Sequence, residues 1–324
     1  MSEVPFAAFK ASMEDKVCSV DMGKVVGKCD ILFVCLDTLR YDAAVQEEAA
    51  GGTPVLNRYG AWEKRQAPGN FTYPSHHAIF AGFLPSRDDA RSIAEKEMLF
   101  MPRSMGMGRK LPKGSYGFDA PNLVQGLHQD GYDTWCVGGV AFFDKRSQMG
   151  QVFPSFFEKS DWNPSFSCPV KDSTRNQVDF ILRRLEQNTD PRKIFLYVNV
   201  CAIHYPNYFY LEEGAGKADA KQESATQEPG REEPKTQKSG GKEPHGAAAA
   251  RTEDKKDSLK THRAALRYVD GQLGRLFDGW KEKRGETFVV CFSDHGTCYG
   301  EDGYVFHGVN HPVVNTVPYK HFFL

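Results

Sequence analysis

Four short apolar runs stand out from the mixed sequence around them. They are ILFVCL at 31–36, TWCVGG at 134–139, IFLYVNV at 194–200 and TFVVCFS at 287–293. Their continuous apolar character and their β-branched residues are typical of strands that are covered on both faces. The runs therefore predict the buried strands of a parallel sheet.

Helical patterns alternate with these runs. NLVQGLHQDGY predicts a helix that ends near Gly131, just before the second run. STRNQVDFILRRLEQNTD and HRAALRYVDGQLGRLFDGW repeat their apolar residues at helical spacing. The residues on these two apolar faces are Val178, Ile181, Leu182 and Leu185, and Leu266, Val269, Leu273, Leu276 and Trp280. Strands alternating with helices predict an α/β protein, a three-layer α/β/α sandwich with a mostly parallel central sheet.

Residues 213–256 depart from that pattern. They consist largely of Gly, Ala, Lys, Glu, Gln and Pro and contain no aromatic residue. Such a segment buries too little apolar surface to offset its ordering entropy, so we predict a disordered insertion within a single catalytic domain that spans 1–324. The charges alternate in sign, which favours a solvated spacer over a binding segment.

Composition limits the possible partners. The 324 residues carry a formal net charge of −1, so no basic field favours nucleic acid. No apolar run approaches the roughly 18 residues of a membrane span, and we expect neither a membrane segment nor a secretory signal. The eight cysteines are scattered without a CxxC pair, which favours reduced thiols in a cytoplasmic protein.

Two of the predicted strands run directly into carboxylates. Asp37 follows the first run in DTLRYD, and Asp294 and His295 follow the fourth in SDHG. Ligands of open parallel sheets bind at this carboxyl edge, and a buried carboxylate requires a partner. An N-cap or an ion pair with Arg40 is the alternative for Asp37. Together the three residues suit a divalent ion, zinc or manganese first, with magnesium or calcium also possible.

The stretch FTYPSHHAIFAG, 71–82, has two interpretations. It is either a capped turn into an apolar helix or a helix start that presents the Thr72 hydroxyl to the metal. Pro74 suits the first turn of a helix, whose free N–H groups attract anions. A metal lowers the pKa of a bound alcohol and so makes it a nucleophile. Ser75 is the competing hydroxyl, and we interpret it as a cap.

The order of these motifs resembles the alkaline phosphatase superfamily, in particular its sulfatase-like and phosphodiesterase branches. The resemblance spans nearly the whole chain outside 213–256. The motifs are DTLRYD, TPVLNRYGA, TYPSHHAIFAG, LHQDGYDTWCVGG, HYPNY, and SDHGTCYGEDGY with the later HG and TVPY. The resemblance implies an alkaline phosphatase-like fold and a first metal site formed by Asp37, Thr72, Asp294 and His295.

Two departures from the family pattern affect the expected reaction. Thr72 stands where sulfatases carry a Cys or Ser that is oxidised to formylglycine, and threonine cannot give that aldehyde. His76 replaces the arginine of the motif. The resemblance therefore implies a hydrolase of small phosphate mono- or diesters or phosphonate esters, with Thr72 as nucleophile and a phosphothreonine intermediate. A sulfatase, a phosphotransferase or mutase, and a non-catalytic relative that binds an anion or a partner remain the alternatives.

A second metal site would lack a carboxylate. Asn199 stands near the position where two-metal relatives have an aspartate, which leaves His204 and His307 as possible ligands. In one-metal relatives a histidine resembling His204 protonates the leaving group, and we favour that role. A hydrogen-bonded histidine at a strand end is the alternative.

Further side chains are candidates for binding substrate oxygens, although each could instead have a structural role. They are Arg40, His76 and His311. We expect Asp302 to shape the GEDG turn. The sequence indicates no particular protein partner.

Overall fold

The four apolar runs form the centre of one seven-stranded sheet. The computed structural model describes residues 20–82, 99–100, 116–117, 121–211 and 256–324. The strands are β1 (Asp30–Leu36), β2 (Glu63–Gln66), β3 (Leu99–Phe100), β4 (Tyr116–Gly117), β5 (Asp133–Val137), β6 (Lys159–Asp161), β7 (Ile194–Val200), β8 (Thr287–Phe292), β9 (Cys298–Tyr299), β10 (Val305–Phe306) and β11 (Thr316–Phe323). The predicted insertion at 213–256 lies outside the described residues, apart from Lys256.

The central sheet is mostly parallel, as predicted. Its strand order is β2-β11-β8-β1-β7-β5-β6. The five strands from β8 to β6 run parallel, whereas β11 is antiparallel to both β8 and β2. Two further two-stranded pairs, β9 with β10 and β3 with β4, lie outside this sheet. The carboxyl ends of β1, β7 and β8 therefore meet at one edge.

Helices cover both faces of the sheet. The α-helices are α1 (Tyr41–Ala49), α2 (Thr72–Ala81), α3 (Leu123–Gln129), α4 (Ser173–Gln187), α5 (Leu259–Arg284) and α6 (Pro312–Asn315). Short 3-10 helices occur at Met22–Lys24, Leu56–Tyr59, Ala141–Phe143, Met149–Gln151, Phe153–Phe156, Pro164–Phe166, Tyr208–Tyr210 and Glu301–Gly303. Capping boxes at Asn122 and Ser258 satisfy the first N–H groups of α3 and α5.

Alternate side chains of β1 contribute to two separate cores. Leu32 and Val34 pack in one core with the apolar residues of α1, α4 and α5. Ile31 and Cys35 pack in the other with those of α2 and α3. Because successive strand residues face opposite sides of a sheet, this division produces the predicted three-layer arrangement. The seven cysteines in the described ranges are free, and all but Cys168 are buried.

Candidate functional site

Asp37 and Asp294 come off two neighbouring parallel strands. The β1–β8 register pairs Cys35 with Phe292, so the two carboxylates follow at equivalent distances along their strands. Thr38 has a φ of 64°, and its N–H donates to Asp294 Oδ1 at 3.4 Å. A β-branched residue rarely adopts this left-handed conformation, because its side chain clashes with the backbone. Local strain thus accompanies the contact between the two strand ends.

The unprotonated ring nitrogen of His295 faces these carboxylates. Its Nδ1–H donates to the carbonyl oxygen of Gly296 at 2.9 Å, so Nε2 carries the lone pair. Nε2 lies 3.4 Å from Asp294 Oδ2 and 3.8 Å from Asp37 Oδ1. Burial lowers the pKa of His295, which favours the neutral imidazole. A neutral imidazole with this tautomer is a metal ligand.

Thr72 is the first residue of α2 and is buried against the same cluster. Its Oγ1 lies 3.5 Å from Asp37 Oδ2 and 3.3 Å from His295 Nε2. Phe71, in an extended conformation, precedes the helix, and the first-turn position of Pro74 needs no N–H bond. The structure thus brings together all four side chains of the predicted first metal site.

The charges at this cluster require compensation. Asp37 Oδ1 and Asp294 Oδ2 are buried and have no hydrogen-bond partner among the described residues. Burial and the charge of Asp37 raise the pKa of Asp294 well above its usual range. Ligand atoms of Asp37, Asp294 and His295 all lie within 4.8 Å of one another. Unpartnered buried carboxylate oxygens beside an imidazole nitrogen that carries a lone pair suit a divalent cation.

Asn199 orients Asp37 from the adjacent strand β7. Its Nδ2 donates to Asp37 Oδ2 at 3.0 Å, while its Oδ1 accepts from the N–H groups of Gly139 and Val140. Burial opposes ionisation of Asp37, but His204, His295 and this hydrogen bond outweigh it and lower the pKa of Asp37. This role is not among the sequence predictions, and its signal in the sequence is an asparagine inside an otherwise apolar buried strand.

His76 lies beneath Thr72 with both ring nitrogens engaged. Nδ1–H donates to the Thr72 carbonyl oxygen at 2.8 Å, and the Tyr197 hydroxyl donates to Nε2 at 2.5 Å. Nδ1 is also 3.5 Å from Asp294 Oδ2. Burial lowers the pKa of His76 to about 4. The structure therefore places this residue behind Thr72, as a support of the helix start.

His204 and His307 form a row of rings with His295. The ring centroid of His307 lies 4.6 Å from that of His295 and 5.2 Å from that of His204. Burial opposes protonation of His204, but Cys168, within hydrogen-bonding reach, and the charge of Asp37 raise its pKa to about 9. The close clusters of possible ligands found in the described ranges include neither His204 nor His307, so the second metal site stays a prediction.

Arg40 is held by two carboxylates away from open solvent. It forms a two-pronged ion pair with Asp42, with contacts of 2.6 and 2.9 Å, and a second ion pair with Glu301. It does not form the ion pair with Asp37 that sequence analysis considered. These contacts give Arg40 a structural role between α1 and the loop that follows β9.

His311 and Ser75 have structural surroundings as well. His311 caps α6 through the N–H of Val313, and its Nε2–H donates to Asp302 at 3.1 Å. Asp302 has a φ of 50° and shapes the turn. The interpretation of Ser75 as a cap is wrong, because the helix begins three residues earlier and the buried Ser75 Oγ has no partner in the described part of the chain.

The fold agrees with the class of protein that the family comparison shows. A mostly parallel sheet, covered by helices on both faces and carrying carboxylates and a histidine at its carboxyl edge, is the architecture of the alkaline phosphatase superfamily. The Sulfatase family model matches residues 30–314. The chain belongs to the sulfatase family, whose members are metal-dependent enzymes acting on phosphate or sulfate esters.

Solved structures with similar folds share little sequence with this chain. The periplasmic domain of phosphoethanolamine transferase EptC from Campylobacter jejuni is 14% identical, with a TM-score of 0.53 and coverage of 92% of this chain and 80% of that chain. The periplasmic domain of EcEptC from Escherichia coli, in complex with zinc, is 15% identical, with a TM-score of 0.56 and coverage of 91% and 72%. An alkaline phosphatase superfamily protein from Vibrio parahaemolyticus is 18% identical, with a TM-score of 0.50 and coverage of 98% and 67%. No match was found among curated proteins.

The expectation of a cytoplasmic protein is contradicted by these comparisons, because two of the similar structures are periplasmic domains. That expectation rested on scattered cysteines without a CxxC pair and on the lack of a secretory signal, and six of the seven cysteines in the described ranges are buried, a placement that free thiols adopt through their apolar character. None of the helices in the described ranges combines the length and the apolar character of a membrane span.

Proposed function

We propose that the protein is a metal-dependent hydrolase of phosphoryl esters in which Thr72 is the nucleophile. The observation that supports it is the position of Thr72 Oγ1, 3.5 Å from Asp37 Oδ2 and 3.3 Å from His295 Nε2. A hydroxyl at the start of a helix, beside two unpartnered carboxylate oxygens, suits metal-assisted attack better than packing.

The roles of the side chains follow from this arrangement. Asp37, Asp294 and His295 would hold the divalent ion, together with Thr72. When bound, such an ion lowers the pKa of an adjacent alcohol and offsets charge on a phosphoryl oxygen. Asn199 holds Asp37 through Oδ2, and His76 fixes the backbone of Thr72.

The proposed reaction has two covalent steps. Thr72 Oγ1, as an alkoxide that has lost its proton to solvent, forms a bond to phosphorus while the ester P–O bond breaks. Protonated His204 gives its proton to the leaving alkoxide, which departs as an alcohol. A water then forms a bond to phosphorus and passes its proton to His204 while the P–Oγ1 bond breaks. This step returns Thr72 as the alkoxide and releases phosphate, a monoester from a diester, or a phosphonate from a phosphonate ester.

A phosphoryl substrate is favoured over a sulfuryl one by the residue at position 72. A threonine is a secondary alcohol, and its oxidation cannot give the aldehyde on which sulfatases depend. The description of one similar structure as a phosphoethanolamine transferase also favours phosphoryl chemistry, and it makes transfer to an acceptor alcohol the second candidate. The zinc complex of EcEptC favours zinc as the ion.

Trapping the covalent intermediate tests this proposal. The metal-reconstituted protein is incubated with aryl phosphate mono- and diesters, phosphonate esters and sulfate esters, quenched in acid and digested. We expect a phosphoryl adduct on the peptide that contains Thr72. Thr72→Ala should lower turnover by at least about a thousandfold, while Thr72→Ser should retain part of it because the hydroxyl survives.

Ser75→Ala is the matched control. It removes a neighbouring buried hydroxyl that has no hydrogen-bond partner among the residues that the structure describes, so activity and stability should be nearly unchanged. Loss of activity in Ser75→Ala with retention in Thr72→Ala would refute the nucleophile assignment. Turnover of sulfate esters alone would refute the substrate class. Elemental analysis that finds no divalent ion after reconstitution would contradict the metal site, and an alkylated phosphate product formed with added alcohols would favour the transferase.

A further inference from the structure

Exposed apolar side chains lie together beside the candidate site. Tyr205, Tyr304, Val305 and Phe306 are 40%, 48%, 58% and 41% exposed, and we call these four residues the apolar platform. Three are consecutive in the segment that enters and forms β10, and the Tyr205 ring lies 4.7 Å from that of Phe306. Exposed large side chains of this kind are costly in water when they are contiguous, and they mark binding surfaces.

The platform is continuous with the row of histidines. The Tyr205 ring stacks on His204 at 4.3 Å and lies 6.0 Å from the ring of His307. His307 in turn contacts His295 of the metal cluster. An ester whose phosphorus lies at Thr72 and whose leaving oxygen faces His204 would therefore carry its leaving group toward these rings.

The segment that carries the platform is fixed in place. Gly300 N–H donates to the Tyr304 carbonyl oxygen at 2.9 Å, and Gly308 N–H donates to the Asn70 carbonyl oxygen at 2.7 Å. Asn70 lies just before Thr72, so one end of the platform segment is tied to the nucleophile's own loop. Phe306 has a φ of 66°, a strained conformation for an aromatic residue. Strain that keeps a phenylalanine exposed beside an active site indicates a role in binding.

We propose that the apolar platform binds the leaving group of the substrate and selects phosphoryl esters of apolar alcohols, alkyl or aryl. This inference rests on the proposed function. None of the four side chains is a cation that could offset the charge of the phosphoryl group, so they suit the apolar part of the ester, with the phosphoryl group at the candidate metal cluster. Apolar contact alone predicts that affinity grows with the apolar area of the alcohol.

A chain-length series tests the platform. Monoalkyl phosphates from ethyl to hexyl differ little in the acidity of their alcohols, so the chemical step stays nearly constant. For the wild type we expect kcat/KM to rise about two- to fourfold for each added methylene, the effect of partial to full burial. Phe306→Asn keeps a residue that tolerates the left-handed conformation and removes the ring. This variant should flatten the series, so that the ratio of kcat/KM for hexyl phosphate to that for ethyl phosphate falls well below its wild-type value.

Leu211→Asn is the matched control, because Leu211 is exposed to a similar extent, 39%, and follows Tyr210, whose ring stacks on Tyr268 of α5. It should retain the chain-length dependence. Calorimetric binding of the corresponding alkylphosphonates to the metal-loaded protein gives a readout that needs no turnover. This measurement separates the two proposals. If alkylphosphonates bound more tightly with increasing chain length while the alkyl phosphates were not hydrolysed, the platform would be supported and the hydrolase refuted.

Several outcomes would overturn the platform. The first is a wild-type kcat/KM that does not depend on alkyl chain length. The second is a Phe306→Asn variant with the same chain-length dependence as the wild type. The third is a Leu211→Asn variant that loses this dependence as fully as Phe306→Asn does. The dependence on chain length could also appear only above the concentration at which the alkyl compounds aggregate. In that case the platform would bind an assembled amphiphile, and binding of a single leaving group would be refuted.

Discussion

His262, in α5, is a buried histidine that the fold holds in its neutral form. Its Nε2 accepts from the N–H of Arg40 at 3.3 Å, so Nδ1–H donates to the Tyr299 hydroxyl at 2.9 Å. Burial, reinforced by the positive charge of Arg40, lowers the pKa of His262 to about 3. The residue thus links α1, α5 and β9 only while it remains unprotonated.

This depressed pKa predicts acid sensitivity. Below about pH 6.5 the unfolded chain binds a proton at this histidine, whereas the folded chain does not until about pH 3. His262 therefore contributes to a loss of stability as pH falls through that window, with a slope of up to about 1.4 kcal/mol per pH unit. His262→Gln should be less stable at pH 7 and should lose stability less steeply between pH 7 and pH 5.

Urea unfolding at several pH values measures both effects. The wild type, unfolded in parallel at each pH value, supplies the reference slope. If His262→Gln kept the wild-type slope, proton uptake on unfolding would occur at other groups and the prediction would be wrong.

Single residues differ in how far the sequence reveals them. The convergence of Asp37 and Asp294 could be predicted, because each directly follows a buried strand and parallel strands end at one edge. The partners of Asn199 and His76 could not, because they depend on which strand lies beside which. The cap predicted at Ser75 failed for a related reason, because a cap can be assigned only when the first residue of the helix is known to within one position.

At the scale of secondary-structure elements, the loop after β8 is pressed against α6. Gly296 N–H donates to the Val314 carbonyl oxygen at 2.8 Å, and a Cβ at Gly296 would lie 1.9 Å from the carbonyl oxygen of Val313. The carbonyl of Gly296 is also the acceptor that sets the tautomer of His295. The packing of α6 is therefore coupled to the geometry of the candidate metal cluster through Gly296.

Gly296→Ala should weaken both the packing of α6 and metal binding at the candidate cluster. We expect the loop or α6 to shift, with a loss of about 2 kcal/mol or more in unfolding free energy and a lower content of divalent metal per chain after reconstitution. Thermal unfolding and elemental analysis measure the two effects. Gly271→Ala in α5 is the control, because no atom of the described ranges lies within 4 Å of its added Cβ, and it should stabilise by up to about 1 kcal/mol. Wild-type stability and metal content in Gly296→Ala would contradict the coupling.

Elements with a strong apolar pattern were predictable, and the sheet edges were not. Strands β1, β5, β7 and β8 and helices α3, α4 and α5 match their predicted runs to within a few residues. The edge strands β2 and β6 have the sequences EKRQ and KSD, which lack an apolar alternation. Edge strands are partly solvated and often charged, so their hydrogen bonds leave no hydrophobic signal.

At the scale of the whole molecule, the two chain segments that flank 213–256 are tied to each other. The N–H groups of Asn207 and Tyr208 donate to Asp257 Oδ1 at 2.8 and 2.9 Å. Thr261 of α5 also donates to the Asn207 side chain. The loop that follows β7 and the start of α5 are therefore joined by contacts between described residues on the two sides of the predicted insertion.

Replacing residues 213–256 with a short Gly/Ser linker should leave the thermal midpoint within about 2 °C of the wild type. Loop-closure entropy changes by only about 0.6 kcal/mol for each halving of loop length, and the flanking contacts fix the geometry that the linker must bridge. Calorimetry of the linker variant measures this, with a variant in which 213–256 is shuffled at constant length as the control. A loss of several degrees in the linker variant, with none in the shuffled variant, would indicate that loop length matters, whereas a similar loss in both would show that the specific sequence packs on the domain. Either result would refute the prediction of a solvated spacer whose length and order are neutral to stability.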